Sequence, residues 1–218
     1  MRFGVLGTGM VGQAIGGKLV SLGHEVSMGS RQAGNEKAVA WAAEAGDGAG
    51  EGTFADAAGF GEVLVNATAG TASLEALEAA GAENLAGKVL IDVSNPLDFS
   101  QGMPPVLSVC NDDSVAERIQ RAFPDARVVK ALNTINADVM VAPGDLGGST
   151  TVFVCGNDEG AKAQVVELLR SFGWGEGNVL DLGDVTAARG TEMYLPLWLR
   201  MYGALGTGQF NISVVRGA

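Results

Sequence analysis

The chain has 218 residues, 47% hydrophobic and 18% charged, which is enough apolar material for one large domain or one domain with a small appendage. Its formal net charge of −11, with no basic run longer than two residues, excludes nucleic acid and anionic membrane surfaces as partners. Two cysteines, Cys110 and Cys155, and a single histidine, His24, leave no metal site of standard composition and no disulfide framework.

Apolar runs alternate with helical spacing from end to end. Arg2–Leu6 reads as a short buried strand, followed by helical spacing over Gly12–Leu22 through Ile15, Leu19 and Leu22. Gly23 ends that helix and His24–Met28 is the second strand. Glu36–Ala45 is a helix with Trp41 on its apolar side. Residues 46–52, GDGAGEG, read as a flexible loop, with Thr53-Phe54 as a short third strand. Asp56–Phe60 is a helical turn, Glu62–Thr68 a strand, Ser73–Ala80 a helix and Lys88–Val93 a strand. Ser114–Phe123 is helical, Arg127–Leu132 a strand, Thr151–Cys155 a strand, Gly160–Phe172 a helix and Val179–Leu182 extended. Thr186–Leu205 is apolar and helical, kinked at Pro196.

This alternation predicts an α/β fold, a Rossmann doubly wound and mostly parallel sheet with a small C-terminal α/β-to-helical extension. Residues 1–142 form the dinucleotide-binding domain. Residues 143–218 are a smaller extension packed against it and closing the substrate crevice. The N-terminus enters a strand at once, without a basic n-region, and no apolar run approaches ~20 residues, so a cytoplasmic protein with neither signal peptide nor membrane span is expected. The apolar segment around Leu195, Leu197, Trp198 and Leu199 is either core or the face of a homodimer.

Residues 7–12, GTGMVG, are G-x-G-x-x-G directly after a strand and opening a helix. Gly7 permits the tight turn, Gly9 lets the backbone approach a pyrophosphate, and Gly12 lets helix and strand pack closely. The helix N-terminus then meets phosphate charge with free N–H groups. An overlapping P-loop-like pattern, Gly12-x4-Gly17-Lys18, fails because Leu19 stands where Mg²⁺ needs a hydroxyl and the segment is helical.

The second strand ends in Ser30-Arg31, where an NAD-preferring unit would place an acid to bind the ribose hydroxyls. A hydroxyl and a guanidinium suit a 2′-phosphate instead, with Lys37 adding charge. NADP over NAD is the expectation. The other strand ends, Thr68-Ala69-Gly70, Ser94-Asn95-Pro96 and Asn133-Thr134-Ile135, face the same crevice and leave room for a nicotinamide. No Tyr-x-x-x-Lys pair exists, Lys130 lies inside a strand rather than at its end, and His24 follows the helix-ending Gly23 far from the crevice. No catalytic acid or base is therefore assigned, which favours a hydride transfer that needs none.

The stretches RFGVLGTGMVG, LGHEVSMGSR, KVLIDVSNPL, VVKALNTINADVM, VFVCGNDEGAKAQVVELL and TEMYLPLWLRMYGALG together resemble NADP-dependent oxidoreductases of the coenzyme F420 type. The nucleotide domain is also similar to that of the six-transmembrane metalloreductases. The resemblance implies hydride exchange between NADPH and an 8-hydroxy-5-deazaflavin, coenzyme F420 or a relative of it. It puts Thr8, Gly9, Met10 and Val11 along the pyrophosphate and Ser30 and Arg31 on the 2′-phosphate. Ala137 joins the nucleotide set, and Asn133, Ile135, Leu205 and Thr207 form the deazaflavin pocket. Such enzymes can carry a histidine where Asn133 stands, so reduction of a flavin or a ferric chelate stays open. A non-catalytic NADP-sensing module is the reading outside the enzyme class.

Overall fold

The computed structural model describes residues 1–217. Strand β1 (Arg2–Leu6) runs into helix α1 (Met10–Ser21), which returns the chain to β2 (Glu25–Ser30) beside it. Helix α2 (Glu36–Ala45) leads to β3 (Ala49–Thr53) and α3 (Phe54–Phe60) to β4 (Val63–Asn66), which pairs with the opposite edge of β1. The turn of direction between β1 and β4 is the switch point at which open α/β sheets bind ligands. Beyond it lie α4 (Ser73–Ala80), α5 (Ala82–Leu85) and β5 (Val89–Asp92). A two-stranded ribbon, β6 (Leu97–Asp98) and β7 (Val106–Leu107), precedes α6 (Val115–Ala122) and β8 (Arg127–Ala131).

These six parallel strands take the order β3-β2-β1-β4-β5-β8. After α7 (Ala137–Val141), β9 (Val152–Gly156) joins β8 antiparallel. Helix α8 (Glu159–Phe172) then leads to β10 (Val179–Asp181), parallel to β9. The sheet is thus continuous across residue 142, and the following segment adds two strands to the same eight-stranded layer.

The continuous apolar strands are explained by burial on both faces. Phe3 and Val5 of β1 belong to a core on one face that includes Leu19, Trp41 and Leu169 of the helices, while Leu6 belongs to a core on the other that includes Phe54, Leu77 and Ile119. His24 lies against Phe3, ring centroids 5.1 Å apart, and burial lowers its pKa.

Two expectations need correction. Residues 49–53 are not loop: they form edge strand β3, in register with β2 from Val26↔Ala49 to Ser30↔Thr53, and Phe54 begins α3 instead of ending a strand. The open edge of β2 supplies the hydrogen bonds, so AGEGT needs no apolar alternation of its own to be a strand. Nor is 186–205 one kinked helix. Thr186 lies in a short 3₁₀ turn, α9 spans Ala188–Met193, and α10 spans Leu195–Leu205 with Pro196 in its first turn, where a missing N–H costs no helical bond. Of α10 only Leu195 is buried, while Leu197 and Leu205 are exposed, so this helix is not core. Among the described residues no helix is long and apolar enough to cross a membrane.

Candidate functional site

The glycine motif does its work through space. Gly7 has φ 119°, a region L side chains rarely adopt, and a Cβ there would lie 2.6 Å from the Ala67 carbonyl oxygen. A Cβ on Gly12 would clash with the Gly7 carbonyl oxygen, so α1 can pack this close to β1 only without a side chain. Gly9 is the contrary case, with nothing within 4 Å of where its Cβ would be. It caps α1, and no side chain accepts from the first-turn N–H groups. That cradle of free donors beside empty space is what an approaching phosphate requires.

A cavity of about 540 Å³ opens from this turn to the end of β2. Gly7, Thr8, Gly9, Ser30, Arg31 and Asn35 line one side, and Thr68, Ala69 and Glu75 the other. Arg31 is exposed and makes no ion pair among the described residues. Ser30 is buried, and its hydroxyl donates to the Gln32 carbonyl (2.6 Å) while accepting from the Gln32 N–H (3.3 Å). Its proton is thus committed to the turn that presents Arg31. The Glu51 carboxylate of β3 accepts from the Gly34 N–H (2.9 Å) and braces the same loop. Lys37 is exposed in the first turn of α2, outside the cavity lining.

A second cavity of about 430 Å³ shares Ala67, Thr68 and Ala69 with the first, and continues over Val11, Ser94, Asn95 and Leu97. Its floor is tied down throughout. Thr68 donates its hydroxyl to Asn66 Oδ1 (2.6 Å), and Asn66 Nδ2 donates to Asp92 Oδ1 (2.9 Å), which also accepts the Ser94 hydroxyl (2.7 Å). The Gly70 N–H reaches the Asn95 carbonyl (3.1 Å). Pro96 follows in the same turn, and its carbonyl accepts the Ser108 N–H (2.8 Å). Asp98 borders this cavity, a carboxylate that sequence reasoning overlooked, and the Ser100 N–H holds its pKa below the usual carboxylate value.

Asn133 meets Asn95 in a reciprocal clasp. Asn95 Nδ2 donates to the Asn133 carbonyl (2.7 Å), and Asn133 Nδ2 donates to Asn95 Oδ1 (3.0 Å). The clasp follows Leu132, a buried residue at φ 63°, a left-handed conformation costing of order 1 kcal/mol or more that the surrounding packing must hold. Asn133 and Ile135 are both buried and line neither cavity, while Ala137, half-buried, starts α7. Leu205 and Thr207 are exposed at the far end of α10. The chain after them folds back on the same loop: Gln209 Nε2 donates to Asp138 (3.1 Å), and a Cβ on Gly208 would touch Asn136. The structure therefore brings the 205–208 turn to the 133–138 segment, on the side of the sheet beyond Asn95.

Beneath the second cavity lies a charged cluster that strand patterning did not reveal. The fully buried Lys130 ammonium donates to Asp92 Oδ2 (2.8 Å) and the Ser94 carbonyl (2.6 Å) and forms an ion pair with Glu192 Oε1 (2.8 Å). Glu192 also accepts from the Val115 and Ala116 N–H groups at the start of α6 (2.9 and 3.3 Å). Burial alone would depress the Lys130 pKa, but the Asp92 and Glu192 charges hold it above the ordinary lysine value, and burial pushes Glu192 up. The signal was a lysine inside RVVKAL and an aspartate inside VLIDV, since a strand buried on both faces has no wet side for a charge.

With this geometry in view, residues 2–96 match the family described as NADP oxidoreductase, coenzyme F420-dependent. Over 121 residues the chain is 36% identical to Metalloreductase STEAP3 of Rattus norvegicus, covering 54% of this chain and 22% of that protein. Over 131 residues it is 30% identical to the F420-dependent NADP reductase of Methanocaldococcus jannaschii, 58% of this chain and 57% of that protein. The chain thus spans about a fifth of the metalloreductase and little more than half of the archaeal enzyme. A crystal structure of a candidate F420-dependent NADP reductase from Arthrobacter sp. FB24 superposes with a TM-score of 0.94 at 53% identity, over 99% of this chain and 100% of that one.

Proposed function

Because this chain belongs to the coenzyme F420-dependent NADP oxidoreductase family, we propose that it carries a hydride between NADPH and a deazaflavin of the coenzyme F420 type. The observation that supports this most is the first cavity, where Arg31, a guanidinium without an ion pair among the described residues, shares the lining with the uncapped N-terminus of α1. Gly7, Thr8, Gly9, Met10, Val11 and Gly12 present main chain to the pyrophosphate. Arg31 takes the 2′-phosphate from a turn fixed by Ser30, and Lys37 adds positive field from the first turn of α2.

Thr68, Ala69, Gly70, Ser94, Asn95, Pro96 and Ala137 border the ring half of the nucleotide. When bound, NADPH supplies the hydride. The chain's own work is orientation, through a floor of small residues already locked by hydrogen bonds. Asp98, held as an anion, is no proton donor at neutral pH. The acceptor meets the exposed Leu205 and Thr207, while Asn133 and Ile135, both buried, support the facing loop from beneath. A homodimer through the exposed apolar side of α10 belongs to the same reading, and sedimentation equilibrium checks it.

The 36% identity to a metalloreductase favours a flavin or ferric chelate as the second choice of acceptor. Stopped-flow mixing with deuterated NADPH separates the two. Bleaching of the deazaflavin with a primary isotope effect and a shallow pH profile supports the first reading. Rapid reduction of a flavin or ferric chelate, with the deazaflavin untouched, moves the assignment to the second.

A further inference from the structure

Lys130 is the one charged residue of β8 within the sheet's interior, and its ammonium donates two hydrogen bonds and forms an ion pair with a third group. Each acceptor leads to a different element. Through Asp92 the ammonium reaches the Ser94 N–H and hydroxyl (3.2 and 2.7 Å) and, by way of Asn66, both the hydroxyl and the N–H of Thr68 (2.6 and 3.3 Å). The Ser94 carbonyl it holds directly. Glu192 reaches from α9 to the N-terminus of α6.

Thr68 and Ser94 are the polar groups on the floor of the second cavity, and both hang from this one cluster. A buried ion cluster is a poor way to gain stability, because well-packed apolar side chains of equal volume serve as well or better. What apolar packing cannot supply is direction: fixed donors aimed at Asp92 and at the Ser94 carbonyl.

We propose that Lys130 is a positioning residue for the ring half of the dinucleotide, setting Ser94 and Thr68 at the floor of the second cavity through Asp92 and the Ser94 carbonyl. The inference rests on the NADP reading of the first cavity. It makes the two cavities separable at Ser94, which borders only the second, while Thr68 borders both. A ligand filling only the first cavity meets the influence of Lys130 at Thr68 alone, whereas one spanning both meets it at Ser94 as well.

The test is calorimetric titration of wild type and Lys130→Met with adenosine 2′,5′-bisphosphate and with NADPH, together with the emission of bound NADPH. The expected result is at most a slight loss of affinity for the bisphosphate, which meets the cluster only through Thr68. NADPH should bind about tenfold more weakly, the worth of one or two directed hydrogen bonds. Its emission should fall back toward that of free NADPH, reporting a loosened ring. Should Lys130→Met alone not fold, Lys130→Met with Asp92→Asn removes the ammonium and a charge it balances, and the same split is expected. Equal weakening of both ligands would make the cluster merely structural and overturn the inference, as would unchanged NADPH affinity and emission. Failure of wild type to bind either ligand would overturn the NADP reading and this inference with it. Loss of the split alone leaves the NADP reading standing.

Discussion

At the adenosine end of the crevice, among the described residues, Arg31 pairs with no carboxylate, Gly9 leaves open space and no side chain caps α1. At the ring end, Thr68, Ser94, Asn95 and Asn133 are each already bonded within the protein, over a buried Asp92–Lys130–Glu192 cluster. The first region keeps donors unsatisfied until a ligand arrives, which gives affinity and selectivity for charge. The second has its donors satisfied in advance, which gives rigidity to the place where two rings must meet. Both lie on loops at the ends of strands, but the loops of the second are tied to Asn66, Asp92 and Lys130 inside β4, β5 and β8.

The largest effect expected from breaking this comparison is on stability. Lys130→Met strands two buried carboxylates and should cost roughly 3–5 kcal/mol in urea unfolding, whereas Arg31→Ala should stay within about 0.5 kcal/mol of wild type. A Lys130→Met protein as stable as wild type would mean that the cluster is not the support assumed here. Next in size, Gly9→Val fills the open space before α1. It should weaken NADPH and NADH alike by about 1–3 kcal/mol, as an overpacked contact does, with an unchanged melting curve. Normal NADPH binding by Gly9→Val would reduce the motif to a turn.

Asn133→Ala opens the clasp with Asn95 and should cost about 1 kcal/mol of stability, one hydrogen bond's worth. It should slow turnover with the deazaflavin while leaving NADPH affinity nearly intact, and a parallel loss of both would merge the two subsites. The smallest effect concerns Cys155, the register partner of Lys130 on β9. Burial pushes its thiol up to about 12. At pH 8 it should resist a thiol reagent in wild type and react measurably faster in Lys130→Met, if that substitution loosens the β8–β9 pairing.

The first region could be read from sequence because its rules are local: an apolar run, G-x-G-x-x-G, and Ser30-Arg31 in place of an acid all lie within the first 31 residues. The ends of β4 and β5 were found the same way, by where apolar runs stop. Strand β3 was missed because its hydrogen bonds come from β2 and its own side chains carry no pattern. The cluster was half visible, as charges inside buried strands, but its third member, Glu192, comes from α9, and only the fold brings it to β8. The Asn95–Asn133 clasp depends on the left-handed backbone at Leu132, which no side-chain type announces. Ser30 was assigned from chemistry alone, and the structure shows its hydroxyl proton already given to Gln32.

The most direct test of the account is the nucleotide preference carried by Arg31. Calorimetric titration of wild type and Arg31→Ala with NADPH and NADH compares two ligands that differ only in the 2′-phosphate. The account predicts a loss of about 1.5–3 kcal/mol for NADPH, the worth of hydrogen bonds to a charged group, and almost none for NADH. Equal losses for both nucleotides, or no loss for either, would contradict it.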